Sequence, residues 1–233
     1  MKVVILCGGL GSRLAEETHI KPKPMIKIGN KPILSHITEI YEKNGFKEFI
    51  LALGYKSHII KKYYLKKKFK SKIQTIYTGK NTLTGGRLLK LKKYFKKGEN
   101  FMLTYGDGLT NQNIKRLLSF HLKHKKIATM TVVRPPLRFG KVILKKNQIR
   151  SFREKPQNTT GWINGGFFVF NYRIFNFIKG DKMMLEREPM QKLVKLNQLM
   201  AFKHTGFWQC MDTMRDKTFL NKLYRIKKAP WIK

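Results

Sequence analysis

Apolar residues fall in two rhythms along this chain. Lys2 to Cys7 form a short apolar run that ends in glycines, which predicts a buried parallel strand that hands over to a loop and then a helix. Ile33, Leu34, Ile37, Ile40 and Tyr41 recur instead at helical spacing until Asn44-Gly45, and Pro32 stands where a first helical turn tolerates it. Residues 47–53, 73–77 and 101–105 read as further strands, and residues 55–69 and 86–95 as helices. A helix carrying Ile114, Leu117, Leu118 and Leu122 is expected with Asn111 as its cap, leaving Asp107 in the turn at the C-terminal end of a strand.

Beyond Ile127 the pattern is richer in strands, at 128–133, 141–144, 149–152 and 166–170. Thr213, with Asp216 three positions on, begins a capping-box variant ahead of Phe219, Leu220 and Leu223, so Asp212 directly precedes a helix. No internal repeat and no long linker divides the chain, and one α/β domain over residues 1–233 is expected.

Composition narrows the setting. Only Cys7 and Cys210 are present, too few for a disulfide framework and without zinc spacing. No apolar run approaches the roughly 20 residues of a membrane span, and the first strand runs straight into a loop instead of a cleavage site, so no membrane span and a cytoplasmic location are expected. The formal charge of +37 favours anionic partners without choosing among nucleic acid, membrane and phosphorylated small molecules. Its dense lysine stretches, at 61–72, 90–97 and 123–126, read first as solvated helix faces.

The segment Gly8-Gly9-Leu10-Gly11-Ser12-Arg13 brings a bare backbone to the end of the first strand, where its N–H groups can approach phosphate oxygens. It is not a P-loop, lacking Gly-Lys-Ser/Thr, and Leu14 stands where a dinucleotide fingerprint has its third glycine. In Lys21-Pro22-Lys23-Pro24 the two prolines limit the backbone and can hold a lysine near phosphates, so Arg13 and Lys23 form a candidate clamp, with an ordinary basic loop as the competing reading.

With those two segments, the blocks Gly29-Asn30-Lys31-Pro32-Ile33-Leu34, Thr84-Gly85-Gly86-Arg87, Tyr105-Gly106-Asp107-Gly108, Arg138-Phe139-Gly140, Ser151-Phe152-Arg153-Glu154-Lys155-Pro156, Ile163-Asn164-Gly165-Gly166-Phe167-Phe168, Gly206-Phe207-Trp208-Gln209, Met211-Asp212-Thr213 and Ala229-Pro230-Trp231 occur in order. Over nearly its whole length the chain thereby resembles the sugar-phosphate nucleotidyltransferase family, most closely its branch that uses CTP and glucose 1-phosphate. The resemblance implies a Rossmann-like, glycosyltransferase-A-like fold: a mixed, mainly parallel sheet flanked by helices. Residues 1–126 would form mainly the nucleotide-binding half, 127–212 a smaller β-rich sugar-binding half, and 213–233 a C-terminal helix and tail.

It further implies that Asp107 and Asp212 hold Mg2+, and that Arg13 and Lys23 are the catalytic cations. Leu6, Gly8, Gly9, Gly11, Ser12, Thr84, Gly85, Gly86, Arg87 and Gly106 would join Arg13, Lys23 and Asp107 around the nucleoside triphosphate. Tyr105, Gly140, Glu154, Lys155, Asn164, Gly165, Gly166 and Trp208 would meet the sugar 1-phosphate, and several copies of the chain would assemble together. A cap or turn role for the aspartates, a surface ion pair for Glu154 and Lys155, and a core position for Trp208 are the competing readings.

Three departures stand out: a shorter segment between Phe69 and Thr84, Cys7 in place of a usual alanine, and Cys210 in place of a usual proline. A relative using dTTP, UTP or GTP is the neighbouring alternative. From another class comes a basic nucleic-acid-binding protein, but no zinc-finger or RNA-recognition signature is visible, and no nucleic acid partner is expected.

Overall fold

The computed structural model describes residues 1–66, 69–134, 141–145, 148–153 and 161–232. The chain opens with β1 (Lys2–Cys7), the glycine loop, a 3-10 turn, the single-turn α1 (Ala15–Thr18), and the paired two-residue strands β2 (Lys27–Ile28) and β3 (Lys31–Pro32). Then come α2 (Ile33–Lys43), β4 (Glu48–Leu53), α3 (Ser57–Lys66), β5 (Lys72–Tyr77), α4 (Thr84–Lys90), β6 (Asn100–Tyr105) and the short β7 (Gly108–Thr110). After α5 (Ile114–His124) follow β8 (Ala128–Val133), the hairpin β9 (Lys141–Lys145) and β10 (Gln148–Arg153), β11 (Ile163–Asn171), α6 (Glu188–Lys195), β12 (Leu199–His204), β13 (Trp208–Cys210) and α7 (Met214–Arg225).

Seven strands form one sheet in the order β12-β8-β11-β6-β1-β4-β5, in which only β11 runs antiparallel to its neighbours. β8, β11 and β12, all from the C-terminal half, thus extend the sheet that β1 begins. The alternation of side chains along β1 divides the core: Val3, Ile5 and Cys7 pack with α2 and Trp231 on one face, and Val4 and Leu6 pack with Leu88, Leu91 and Phe101 on the other. Each such fully buried aliphatic or aromatic side chain contributes about 1.5–3 kcal/mol.

α2 follows its apolar stripe, with Ile33, Leu34, Ile37 and Tyr41 sealed from solvent, and ends at Asn44 before the left-handed Gly45. Two expectations need correction. The cap of α5 is Asn113, whose side chain accepts from the Arg116 N–H at 3.0 Å; Asn111 lies in the segment leaving β7, where its N–H bonds to the Phe207 carbonyl. The helix expected over 86–95 starts at Thr84 and gives way after Lys90 to a 3-10 turn at Lys92–Tyr94. α6, β12 and β13 are not among the expected elements.

The parallel pairing of β1 with β6 places their C-terminal ends side by side, so the glycine loop and Gly106-Asp107 leave the sheet at one edge. β7 and β13 pair antiparallel with Cys210 opposite Gly108, and the Met211 N–H donates to the Asp107 carbonyl at 2.9 Å. That short ladder carries the residue after Met211 to the same edge.

Candidate active site

Asp107 and Asp212, far apart in sequence, converge on a single ammonium group. Lys23 Nζ lies 2.5 Å from Asp107 Oδ2 and 2.6 Å from Asp212 Oδ1, and Arg13 Nη1 lies 2.8 Å from Asp212 Oδ2. Lys23 comes from the 3-10 turn held by the Lys-Pro-Lys-Pro segment, with Pro24 buried beside it. Burial works to raise the Asp212 carboxyl, but the hydrogen bond and charge of Lys23, with Arg13 adding, outweigh it and hold the group below the usual carboxylate value. Burial likewise works against the Lys23 ammonium, yet Asp107 and then Asp212 keep its pKa above the ordinary lysine value.

These groups border a cleft of about 1280 Å³ that Leu6, Gly8, Gly9, Gly11, Ser12, Thr84, Arg87, Tyr105, Gly106, Asn164 and Trp208 also line. Thr82, Leu83, Ile163, Met184, Gln209, Arg215 and Phe219 line it too, although none of them was an expected site residue. Among the described residues no group of three or more histidine, cysteine, aspartate or glutamate side chains could hold a metal ion unaided. A hard cation at Asp107 and Asp212 would need further oxygens from water or phosphate, which is how Mg2+ is often held.

The glycines of the first loop serve more than phosphate approach. Gly11 adopts φ +69°, and a side chain on Gly8 would sit 2.1 Å from the Arg87 guanidinium carbon. Arg87 itself is buried: Nη1 donates to Leu53 O, Thr78 Oγ1 and Gly79 O, and Nη2 donates to Gly8 O at 2.8 Å and Lys80 O. It therefore reaches the cleft as a strut between the glycine loop, β4 and the segment after β5. Gly85 and Gly86 are not among the cleft-lining residues; their N–H groups bond to Met183 O, and a side chain on Gly86 would collide with the Asp181 backbone at 2.5 Å.

On the other flank, β11 bulges after Asn164, and Gly166 takes φ +77° so that the backbone passes against the Tyr105 ring. Asn164 Oδ1 accepts from Gly166 N at 2.8 Å, Trp208 Nε1 donates to Gly165 O at 2.7 Å, and Tyr105 OH donates to Glu186 Oε1 at 2.5 Å. Thr84 Oγ1 donates to the other Glu186 oxygen at 2.6 Å. Glu186 thereby ties the expected nucleotide side to the expected sugar side, a link that sequence spacing gave no means of finding. Gly140, Glu154 and Lys155 lie outside the described residues.

Both cysteines border the aspartates, and Cys210 Sγ donates to Asp212 Oδ2 at 3.7 Å. Burial pushes the Cys7 thiol far up, and burial first, then Asp212 and Asp107, raise Cys210 to about 12, so neither is a thiolate at neutral pH. Among the described residues no helix is long and apolar enough to cross a membrane.

The nucleotidyl transferase family model matches residues 2–214. The chain is 44% identical to the glucose-1-phosphate cytidylyltransferase of Salmonella typhimurium (strain LT2) over 253 aligned positions, covering 99% of this chain and 98% of that one. That alignment is longer than this chain, so the relative carries residues that this one lacks. Identity is 39% to the probable glucose-1-phosphate cytidylyltransferase of Bacillus subtilis (strain 168), covering 99% of each. Among solved structures, HddC from Yersinia pseudotuberculosis superposes with a TM-score of 0.76 at 27% identity, covering 96% of this chain and 99% of that one.

Proposed function

The chain belongs to the nucleotidyl transferase family, and from that premise we propose that it joins CTP to glucose 1-phosphate, forming CDP-glucose and pyrophosphate. The observation that carries the reading is the convergence of Asp107 and Asp212 on one cation position beside the glycine loop. Similarity to two cytidylyltransferases along nearly the full chain supports CTP over other triphosphates and glucose 1-phosphate over other acceptors.

A phosphate oxygen of the sugar 1-phosphate attacks the α-phosphorus in line, an O–P bond forms, and the bond from the α-phosphorus to the bridging oxygen breaks as pyrophosphate leaves. The attacking oxygen is already anionic at neutral pH, so neither a protein nucleophile nor a general base is required. Positioning and charge neutralisation supply the rate. Asp107 and Asp212 offer the hard oxygens that suit Mg2+, which when bound would neutralise phosphate charge. Arg13 and Lys23, which now neutralise those carboxylates, stand where phosphate oxygens compete for them. Gly8, Gly9, Gly11 and Ser12 border the triphosphate, and Tyr105, Asn164 and Trp208 border the sugar.

A panel of triphosphates against sugar 1-phosphates, read by pyrophosphate release, tests this directly. The expected leader is CTP with glucose 1-phosphate, in a reaction that EDTA stops. A preference for GTP, UTP or dTTP would reassign the base, and salt-sensitive polynucleotide binding without any turnover would end the enzymatic reading.

A further inference from the structure

We propose that Asp216 is a positioning residue for the carboxylate of Asp212, an inference that rests on the reading of Asp107 and Asp212 as a divalent-cation pair. Asp216 stands at the third position of α7 and is 8% exposed. Its Oδ2 accepts from Thr213 N at 2.9 Å and Thr213 Oγ1 at 2.9 Å, while Asp216 N donates to Thr213 Oγ1 at 3.2 Å. Those bonds complete a capping box, and a helix start needs no more.

Two further bonds exceed that need. Oδ2 also accepts from the N–H of Asp212 at 3.0 Å, and Oδ1 accepts from Gln209 Nε2 at 3.0 Å, whose amide also donates to Cys210 O at 2.9 Å. One buried carboxylate therefore grips the chain on both sides of Asp212, at β13 before it and at the helix after it. From the opposite direction Met211 N is fixed to Asp107 O at 2.9 Å. The backbone of Asp212 is clamped between Asp107 and Asp216, which leaves its carboxylate little freedom except in its own side-chain torsions. Groups that orient a ligand in this way typically alter metal affinity or activity by about 10–100-fold when removed.

Asp216→Asn keeps the shape but turns one acceptor into a donor facing donors. The control is Asn221→Ala, which removes the acceptor for Gly29 N further along the same helix without touching Asp212. Both variants and wild type are titrated with Mn2+, alone and with a non-hydrolysable CTP analogue, by electron paramagnetic resonance. Melting temperature, kcat and KM are measured alongside.

Asp216→Asn is expected to weaken Mn2+ binding about 10–100-fold and to raise the metal concentration for half-maximal turnover by a similar factor. Its KM for glucose 1-phosphate at saturating metal should be unchanged. Asn221→Ala should lower the melting temperature and leave Mn2+ affinity alone. Should Asp216→Asn not fold, Gln209→Leu removes one donor while sparing the capping box, and carries the same test with a smaller expected shift. Wild-type Mn2+ affinity in the Asp216 or Gln209 variant, or equal weakening in Asn221→Ala, overturns the positioning role alone. Wild type that binds no Mn2+ in either state overturns both this role and the metal-site reading beneath it.

Discussion

Replacing Arg87 with lysine is expected to unfasten the glycine loop before it disturbs any contact with substrate. The guanidinium, in a residue only 4% exposed, bridges Gly8 O at 2.8 Å on one side and Thr78 Oγ1 at 2.8 Å and Gly79 O at 2.7 Å on the other. A planar fork spans those acceptors; a lysine ammonium radiates its donors from one point and leaves some of them unmet. Each buried acceptor left without a donor costs about 1–3 kcal/mol, so losing two, with some relief from entering water, destabilises by about 2–4 kcal/mol. In a domain of this size each kcal/mol moves the melting temperature by roughly 2–4 °C, giving a fall on the order of 10 °C. Thermal unfolding by circular dichroism, paired with KM for CTP, reads the outcome. An unchanged melting temperature with a raised KM would refute the strut and return Arg87 to a direct nucleotide contact. Gly8→Ala supplies a second check, because its methyl would occupy the guanidinium's place; it should cost less on an Arg87→Met background than alone.

Three other outcomes are expected. Asp107→Asn should keep the circular dichroism spectrum and lose at least about 100-fold in turnover, since even indirect supports of a metal site cost 10–100-fold; full activity would remove Asp107 from the site. Asp212 has a depressed folded pKa, so its ion pair stabilises above the unfolded carboxylate value near 3.9 and is lost as pH falls through the folded value; Lys23, with a raised pKa, stabilises below about 10.4 and is lost as pH rises through its folded value. Lys23→Met should therefore flatten the denaturation midpoint at both extremes of pH, and a variant as pH-sensitive as wild type would deny the pair its role. Burial, with His124 and Arg173 adding, lowers His121 to about 4, so the unfolded chain binds a proton first and stability falls as pH drops from about 6.5 toward 4. That loss amounts to about 3 kcal/mol at most, from roughly 1.4 kcal/mol per pH unit, and His121→Gln should lose less over the same interval in urea titrations.

The elements most legible in the sequence were those whose stability is local. β1 and α2 announced themselves because burial on two faces and burial on one stripe leave different periodicities, and α7 because Thr213 and Asp216 complete a capping box that needs no distant partner. Asp107 and Asp212 were legible through the motifs around them, but their meeting depends on the β7–β13 ladder, in which each strand has only three residues. No periodicity can declare itself over so short a run. Arg87 and Gly8 were legible separately, each in its own motif, but not as partners: both lie at the cleft, and Arg87 Nη2 donates to Gly8 O. Glu186 left no trace, since its partners Thr84 and Tyr105 come from different elements and only tertiary packing aligns them.

The charge of the chain acts at two ranges, and only one of them concerns the site. At physiological ionic strength a charge is screened over about 8 Å, so most of the +37 bears on encounter with anions instead of on their final placement. At the two aspartates the balance is even, with Lys23 and Arg13 set against Asp107 and Asp212. A bare triphosphate drawing Lys23 away would strand two carboxylates next to its own negative charge, and a bare metal ion would have to displace an ammonium already held by both. Arriving together, each would remove the obstacle to the other: the carboxylates would exchange one cation for another, and the freed Lys23 and Arg13 would be available to phosphate. On the proposed reading, the geometry of these four side chains would favour a metal–nucleotide unit over either component.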